Sequence, residues 1–223
     1  MDKAEIPAVV ETFRRGSQRA LEAGFDGVEI HGANGYLPDQ FLQDGSNTRT
    51  NEYGGSIENR ARFLLEVTQA AASVWGGDRV DVRIAPSGSY GDMYDSNPEK
   101  TSGYVAKQMN RFGLAYLHVI EPRIKGNDTL REGAEPIAAK HIRAKFKGPI
   151  IAAGGFTRES AEAIVAASHA DLVAVGRYFV SNPDLPKRFR IGAPLNPYNR
   201  DTFYGGDRRG YTDYAFYREP VSA

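Results

Sequence analysis

The chain has 223 residues, 41% of them hydrophobic and 25% charged, the proportions of an ordinary globular protein of one or two domains. Lys plus Arg and Asp plus Glu each total 28, and a formal net charge of zero argues against a polyanion-binding surface, so nucleic acid is not an expected partner. Cysteine is absent, which removes disulfides, thiolate nucleophiles and thiolate metal sites and fits a reducing compartment such as the cytoplasm.

Met1-Asp2-Lys3-Ala4-Glu5 lacks the apolar core of a signal peptide. No later run approaches the roughly 20 apolar residues that cross a bilayer, so no membrane association is expected. Pro7 suits the first turn of a helix. Val10, Phe13, Ser17 and Leu21 then fall near helical spacing, and Gly24 is a stop. A strand over residues 26–31 follows. After a long loop, Ser56 can cap a helix running to about Trp75, with Glu58 in its first turn and Gly76-Gly77 at its end. Residues 80–85 form the next strand, closed by Pro86. Asn97-Pro98-Glu99 reads as a cap followed by a first-turn proline, and that helix ends at Gly113. A strand over 114–120, a helix over 135–146 and a strand over 149–153 come next. Thr157 caps a helix through Ala167, and residues 171–175 are the last strand. The tail, 192–223, is irregular and lies over the barrel face.

Alternating βα units imply a parallel sheet covered by helices. Short strands ending in Gly, Pro and polar residues fit an α/β TIM (β/α)₈ barrel, but five strands are three short of closure. The five leave two open sheet edges and an uncovered apolar interior, so the chain is expected to be unstable alone, or to associate with itself or a companion.

Three positions in this pattern carry chemistry. The apolar run Val28 to Ile30 stops at His31, and Gly32 and Gly35 mark a sharp turn. His31, Asn34 and Tyr36 therefore cluster at a strand C-terminus, where parallel α/β folds build sites. A lone histidine there is ordinary; the trio reads as a site. Arg83 ends its own strand, where a salt bridge is the plain alternative. Gly154-Gly155 and Gly176-Arg177 follow the last two strands, where bare backbone N–H groups can approach a phosphate and Arg177 adds charge.

The stretch Phe25-Asp26-Gly27-Val28-Glu29-Ile30-His31-Gly32-Ala33-Asn34-Gly35-Tyr36 closely resembles the Old Yellow Enzyme family of flavin-dependent ene-reductases. The resemblance continues through Gln40-Phe41-Leu42, Asn47-Thr48-Arg49, Glu52-Tyr53-Gly54-Gly55-Ser56 and Glu58-Asn59-Arg60-Ala61-Arg62-Phe63. It resumes at Arg83-Ile84-Ala85-Pro86, Gly154-Gly155-Phe156, Val175-Gly176-Arg177 and Thr202-Phe203-Tyr204. It implies that the chain is the C-terminal portion of one flavin-binding barrel, about strands four to eight, left by truncation or forming half of a split enzyme. It implies FMN as cofactor, NADPH as reductant and a small activated alkene as substrate. His31 and Asn34 match the family's pair of donors to the substrate oxygen, Tyr36 its proton donor, and Arg83 its arginine near the flavin N1. Gly154, Gly155, Gly176 and Arg177 would then hold the FMN phosphate. Phe203 and Tyr204 match aromatic residues near the pocket, with packing of the tail as the alternative. Tyr53 and Arg60 read as scaffold, His118 as a core or strand-end residue, and His141 and His169 as exposed on helical segments. Two other readings stay open: a different phosphate-binding barrel enzyme, such as an isomerase, and a silent half-barrel that acts only by assembling with a partner.

Overall fold

The βα alternation read from the sequence is present in the computed structural model, which describes residues 1–122, 124–125, 128–129, 138–204 and 206–219. In chain order the elements are α1 (Ile6–Glu22), β1 (Val28–Gly32), α2 (Leu37–Leu42), α3 (Ile57–Trp75), β2 (Val80–Ile84), α4 (Pro98–Met109) and β3 (Leu117–Ile120). A small antiparallel pair follows, β4 (Ile124–Lys125) and β5 (Asp128–Thr129), then α5 (Ala139–Arg143), β6 (Ile150–Ala153), α6 (Arg158–Ala166), β7 (Leu172–Ala174), α7 (Arg177–Ser181) and α8 (Leu185–Ile191). The main sheet is parallel with order β1-β2-β3-β6-β7, a partial barrel wall in which each strand pairs with the next.

Three expected caps are made. Ser56, Asn97 and Thr157 accept the backbone N–H groups of Asn59 (3.3 Å), Lys100 (3.2 Å) and Ser160 (3.3 Å), each worth about 1 kcal/mol. Some boundaries differ. β3 starts at Leu117, not at 114, and Leu21 is exposed while Ser17 is buried. The helix expected over 135–146 is the shorter α5; residues 135–137 lie outside the described ones. The short helices α2, α7 and α8 span too few turns for hydrophobic periodicity to announce them.

Alternation sorts the sheet into two faces. Ile30, Val82, Leu117, Val119, Ile150 and Ala152 point outward into one core with Phe63, Leu64 and Val67 of α3 and Val105 and Met109 of α4. On the inner face the register runs His31, Arg83, His118, Ile151, Leu172, with Glu29 opposite Asp81 one step below. The interior is therefore charged along β1 to β3 and apolar only along β6 and β7, where Leu172 is 59% exposed. This corrects the expected apolar interior: the polar half can meet water without penalty, so the unpartnered apolar surface is confined to one side.

Tyr53 and Arg60 are scaffold, as expected. The Tyr53 hydroxyl donates to Glu66 (3.0 Å), and Arg60 is buried among the carbonyls of Leu42 and Gly55 and the Asp95 carboxylate. Asn47 ties the same loop by donating to the carbonyls of Phe41 (2.5 Å) and Tyr53 (2.7 Å). The two other histidines are half-buried rather than exposed: His141 accepts the Ala138 N–H, and His169 lies beyond the end of α6. The tail is aperiodic yet anchored. Arg188 donates to the carbonyls of Pro194 (2.6 Å) and Ala215 (2.8 Å), and Asp184 accepts the Tyr217 N–H (2.8 Å).

Candidate active site

β1 ends at Gly32, and the chain reverses over Ala33 to Tyr36. Asn34 and Gly35 both have positive φ, 54° and 76°, and the Tyr36 N–H donates to the Ala33 carbonyl at 3.2 Å. Two left-handed central residues are the type I′ pattern, for which Asn-Gly is the favoured pair. The turn folds Tyr36 back over His31, with ring centroids 4.7 Å apart. His31 is partly buried; burial, and then the nearby Arg83 charge, push its pKa below the ordinary value. It is therefore neutral at pH 7 and has one N–H to donate.

Arg83 is the neighbour of His31 across the sheet. Its guanidinium is largely buried, and burial lowers its pKa against the pull of Glu29. Beyond it, His118 binds Glu29 through Nδ1 (2.9 Å), a bond that spans β2. Burial alone would raise Glu29, but His118, Arg83 and Tyr116 together hold it below the usual range. The Nε of Arg83 and the Nε2 of His118 are buried with no hydrogen-bond partner in the described structure. Both residues also line a pocket of about 430 Å³, so a cation and an imidazole stand at the edge of a ligand-sized space.

The far wall of that pocket holds Gly154, Gly155, Gly176 and Arg177, the glycine-ended strands singled out in the sequence. Gly154 and Gly155 have φ of 132° and 62°, so side chains are strained there. Gly176 is different: a Cβ would meet nothing within 4 Å, so its bareness leaves room for a ligand. Arg177 lies over the Tyr198 ring at 5.6 Å, and Tyr178 meets the same ring edge-on at 5.4 Å. A cation and an imidazole at one end and bare backbone with a second cation at the other suit a planar polar ligand carrying a phosphate.

A family model described as the NADH:flavin oxidoreductase / NADH oxidase family matches residues 1–196. The chain belongs to this family, the Old Yellow Enzyme family. It is 53% identical over 215 residues to 12-oxophytodienoate reductase 2 of Arabidopsis thaliana, covering 94% of this chain and 56% of that protein. To 12-oxophytodienoate reductase 1 of Oryza sativa subsp. japonica it is 49% identical over 220 residues, covering 96% of this chain and 57% of the relative. A solved structure of morphinone reductase superposes with a TM-score of 0.91 at 44% identity, covering 100% of this chain and 59% of that one. Morphinone reductase in complex with tetrahydroNAD gives a TM-score of 0.89 at 45% identity. The chain thus spans 56 to 59% of the length of these relatives, which matches five strands of an eight-stranded barrel.

Five of the ten site residues expected from sequence, Arg83, Gly154, Gly155, Gly176 and Arg177, line the pocket. His31 is the neighbour of Arg83 across the sheet, and Asn34 and Tyr36 lie in the turn that follows β1. Phe203 and Tyr204 do not line it. Phe203 packs against Tyr198 (5.7 Å), and Tyr204 is 73% exposed beside Phe203. The tail's contribution to the wall is Tyr198, which sequence reasoning missed along with Tyr178, Phe156 and Thr157. Tyr178 was signalled by its place next to Arg177; Tyr198 had no local signal, because only the anchored tail brings it there. His118, read as structural, is a pocket residue as well as a strand residue.

Proposed function

We propose that this chain is the C-terminal portion of an FMN-dependent ene-reductase, driven by NADPH and acting on the C=C bond of α,β-unsaturated carbonyl or nitro compounds. The remaining strands would come from a complementary chain or from self-association, sealing the open sheet edges and covering Leu172. The observation that carries the reading is the pocket that Arg83 and His118 share with Gly154, Gly155, Gly176 and Arg177, one strand away from His31 and the Asn34–Tyr36 turn. Arg83 would hold the electron-rich edge of the isoalloxazine, and Gly154, Gly155, Gly176 and Arg177 its phosphate. When bound, the flavin supplies the hydride.

The chain's own residues do the rest. Neutral His31 and Asn34 donate hydrogen bonds to the substrate oxygen, where negative charge builds as hydride reaches the β-carbon. Tyr36 carries a phenolic O–H and delivers its proton to the α-carbon. The first experiment is an absorbance spectrum of the purified chain, alone and with added FMN. Flavin bands that shift on binding support the reading. The second is stopped-flow measurement of both half-reactions in a flavin-loaded assembly carrying Tyr36→Phe. Flavin reduction should be spared, and oxidation by an enone should slow by on the order of 10²-fold or more. Full-speed enone reduction would remove Tyr36 from the chemistry.

A further inference from the structure

We propose that Asp39 is a positioning residue: its carboxylate fixes the left-handed turn that presents Asn34 and Tyr36. Its importance for turnover rests on the ene-reductase reading of those two residues, whereas the geometry stands without it. Tyr36 is the N-cap of α2, and Asp39 is the third residue of that helix. Its side chain reaches back instead of outward. Oδ2 accepts the Gly35 N–H at 2.9 Å, and Oδ1 accepts the Gln43 side-chain amide at 2.8 Å. The same glycine is held from its other end by the Gln40 amide, which donates to the Gly35 carbonyl at 2.6 Å. Gly35 is thus gripped at both its N–H and its C=O, and its neighbours on either side are the two residues that need placing.

The grip adds to a local preference. Asn34 tolerates its φ of 54°, and the bonds to Gly35 fix which way the turn presents its side chain and that of Tyr36. Asp39 is 2% exposed, so water cannot substitute for its oxygens. Both oxygens act as acceptors, and the ionised form is the one that satisfies both donors; a proton on either oxygen replaces an acceptor with a donor. Burial, and the charge of Asp95 in the loop before α4, raise the Asp39 pKa to about 6, against the Gly35 and Gln43 bonds that lower it. Asp95 is itself bound by Arg60 at 2.6 Å.

The test is NMR of the isotope-labelled chain, purified with its completing segment if it requires one. The wild type is compared with Asp39→Asn, which keeps an acceptor oxygen, and Asp39→Leu, which has none. In the wild type the Gly35 amide shift should titrate with a midpoint of about 6, in step with the Asp39 carboxyl carbon. Asp39→Asn should abolish that titration and retain the Asn34 HN–Hα coupling of a left-handed residue. Asp39→Leu should shift that coupling and weaken the His31–Tyr36 ring contact while cooperative melting persists. A Gly35 amide that stays flat while the Asp39 carboxyl carbon titrates, at whatever pH that occurs, would overturn the proposal. So would a folded Leu variant with the wild-type coupling and ring contact. If the Leu variant does not fold, the wild-type titration and its loss in the Asn variant decide. None of these readouts needs flavin, so a colourless chain with a titrating Gly35 amide would count against the ene-reductase reading and leave Asp39 in its role.

Discussion

Replacing Arg60 with Met should destabilise the chain, because it removes one partner of a buried ion pair. Arg60 is 4% exposed and joins three segments. Its guanidinium donates to the carbonyl of Leu42 at the end of α2, to Asp95 at 2.6 Å and, more weakly, to Thr101 of α4 at 3.4 Å. The Asp95 side chain is 5% exposed, so the pair is a buried one. Methionine keeps most of the aliphatic stem but strands a buried carboxylate. Removing one partner of such a pair costs ~3–5 kcal/mol. The orphaned Leu42 carbonyl adds a desolvation penalty of ~1–3 kcal/mol. Asp95 retains the Asn97 N–H (2.8 Å) and the Thr101 hydroxyl (3.0 Å), which offset part of the loss, so about 4 kcal/mol is the expected net. In a chain of this size ~1 kcal/mol moves Tm by about 2–4 °C, giving a drop of roughly 8–16 °C. Calorimetric melts of Arg60→Met and of the double variant Arg60→Met/Asp95→Leu measure it. The double variant should recover part of the loss, because no buried charge then remains. A single-variant loss below ~1 kcal/mol, or a double variant no better than the single, would refute the buried-charge reasoning and leave only lost packing.

Asp81, on the inner face, has its pKa raised to about 6, chiefly by burial and against the Tyr116 hydrogen bonds. The folded chain therefore holds this proton more tightly than the unfolded chain, and its contribution to stability fades as pH rises from about 4 to about 6. Asp81→Asn should raise Tm more at pH 7.5 than at pH 5; an equal change at both would mean that the group does not titrate in that window. Gly154→Ala places a Cβ 3.2 Å from that of Glu121 at φ 132° and should lower Tm, by ~1–3 kcal/mol of strain. Gly176→Ala meets nothing within 4 Å and should leave Tm unchanged while weakening FMN binding, as fluorescence titration would show. Arg83→Met should lower the flavin reduction potential and slow reduction by NADPH, each by roughly 1–3 kcal/mol for a lost charge-assisted contact. An unchanged potential would make Arg83 structural.

The amino-acid order by itself determined the βα alternation, three helix caps and the strand-end cluster. Each is a local matter: a cap depends on residues three apart, a strand on a run of five, and the Asn34-Gly35 turn on two residues that tolerate positive φ. Motif resemblance gave the family and ten candidate positions, of which Arg83, Gly154, Gly155, Gly176 and Arg177 line the pocket and His31, Asn34 and Tyr36 lie at the end of β1 and in the turn after it. Tertiary structure decided what depends on register and long-range anchoring. The pairing of His31 with Arg83 and of Arg83 with His118 makes one row of three polar groups out of strands far apart in sequence. Glu29 meets His118 across an intervening strand, 89 residues away, and so makes part of the interior polar where an open five-stranded sheet had suggested an apolar one. Tyr198 reaches the pocket, in place of Phe203 and Tyr204, because Asn196 and Arg188 fasten an aperiodic tail through carbonyls that no pattern of side chains announces. Local propensity acts over a few residues; which of several strand-end groups share a pocket is settled by sheet register and by the hydrogen bonds that close the chain over it.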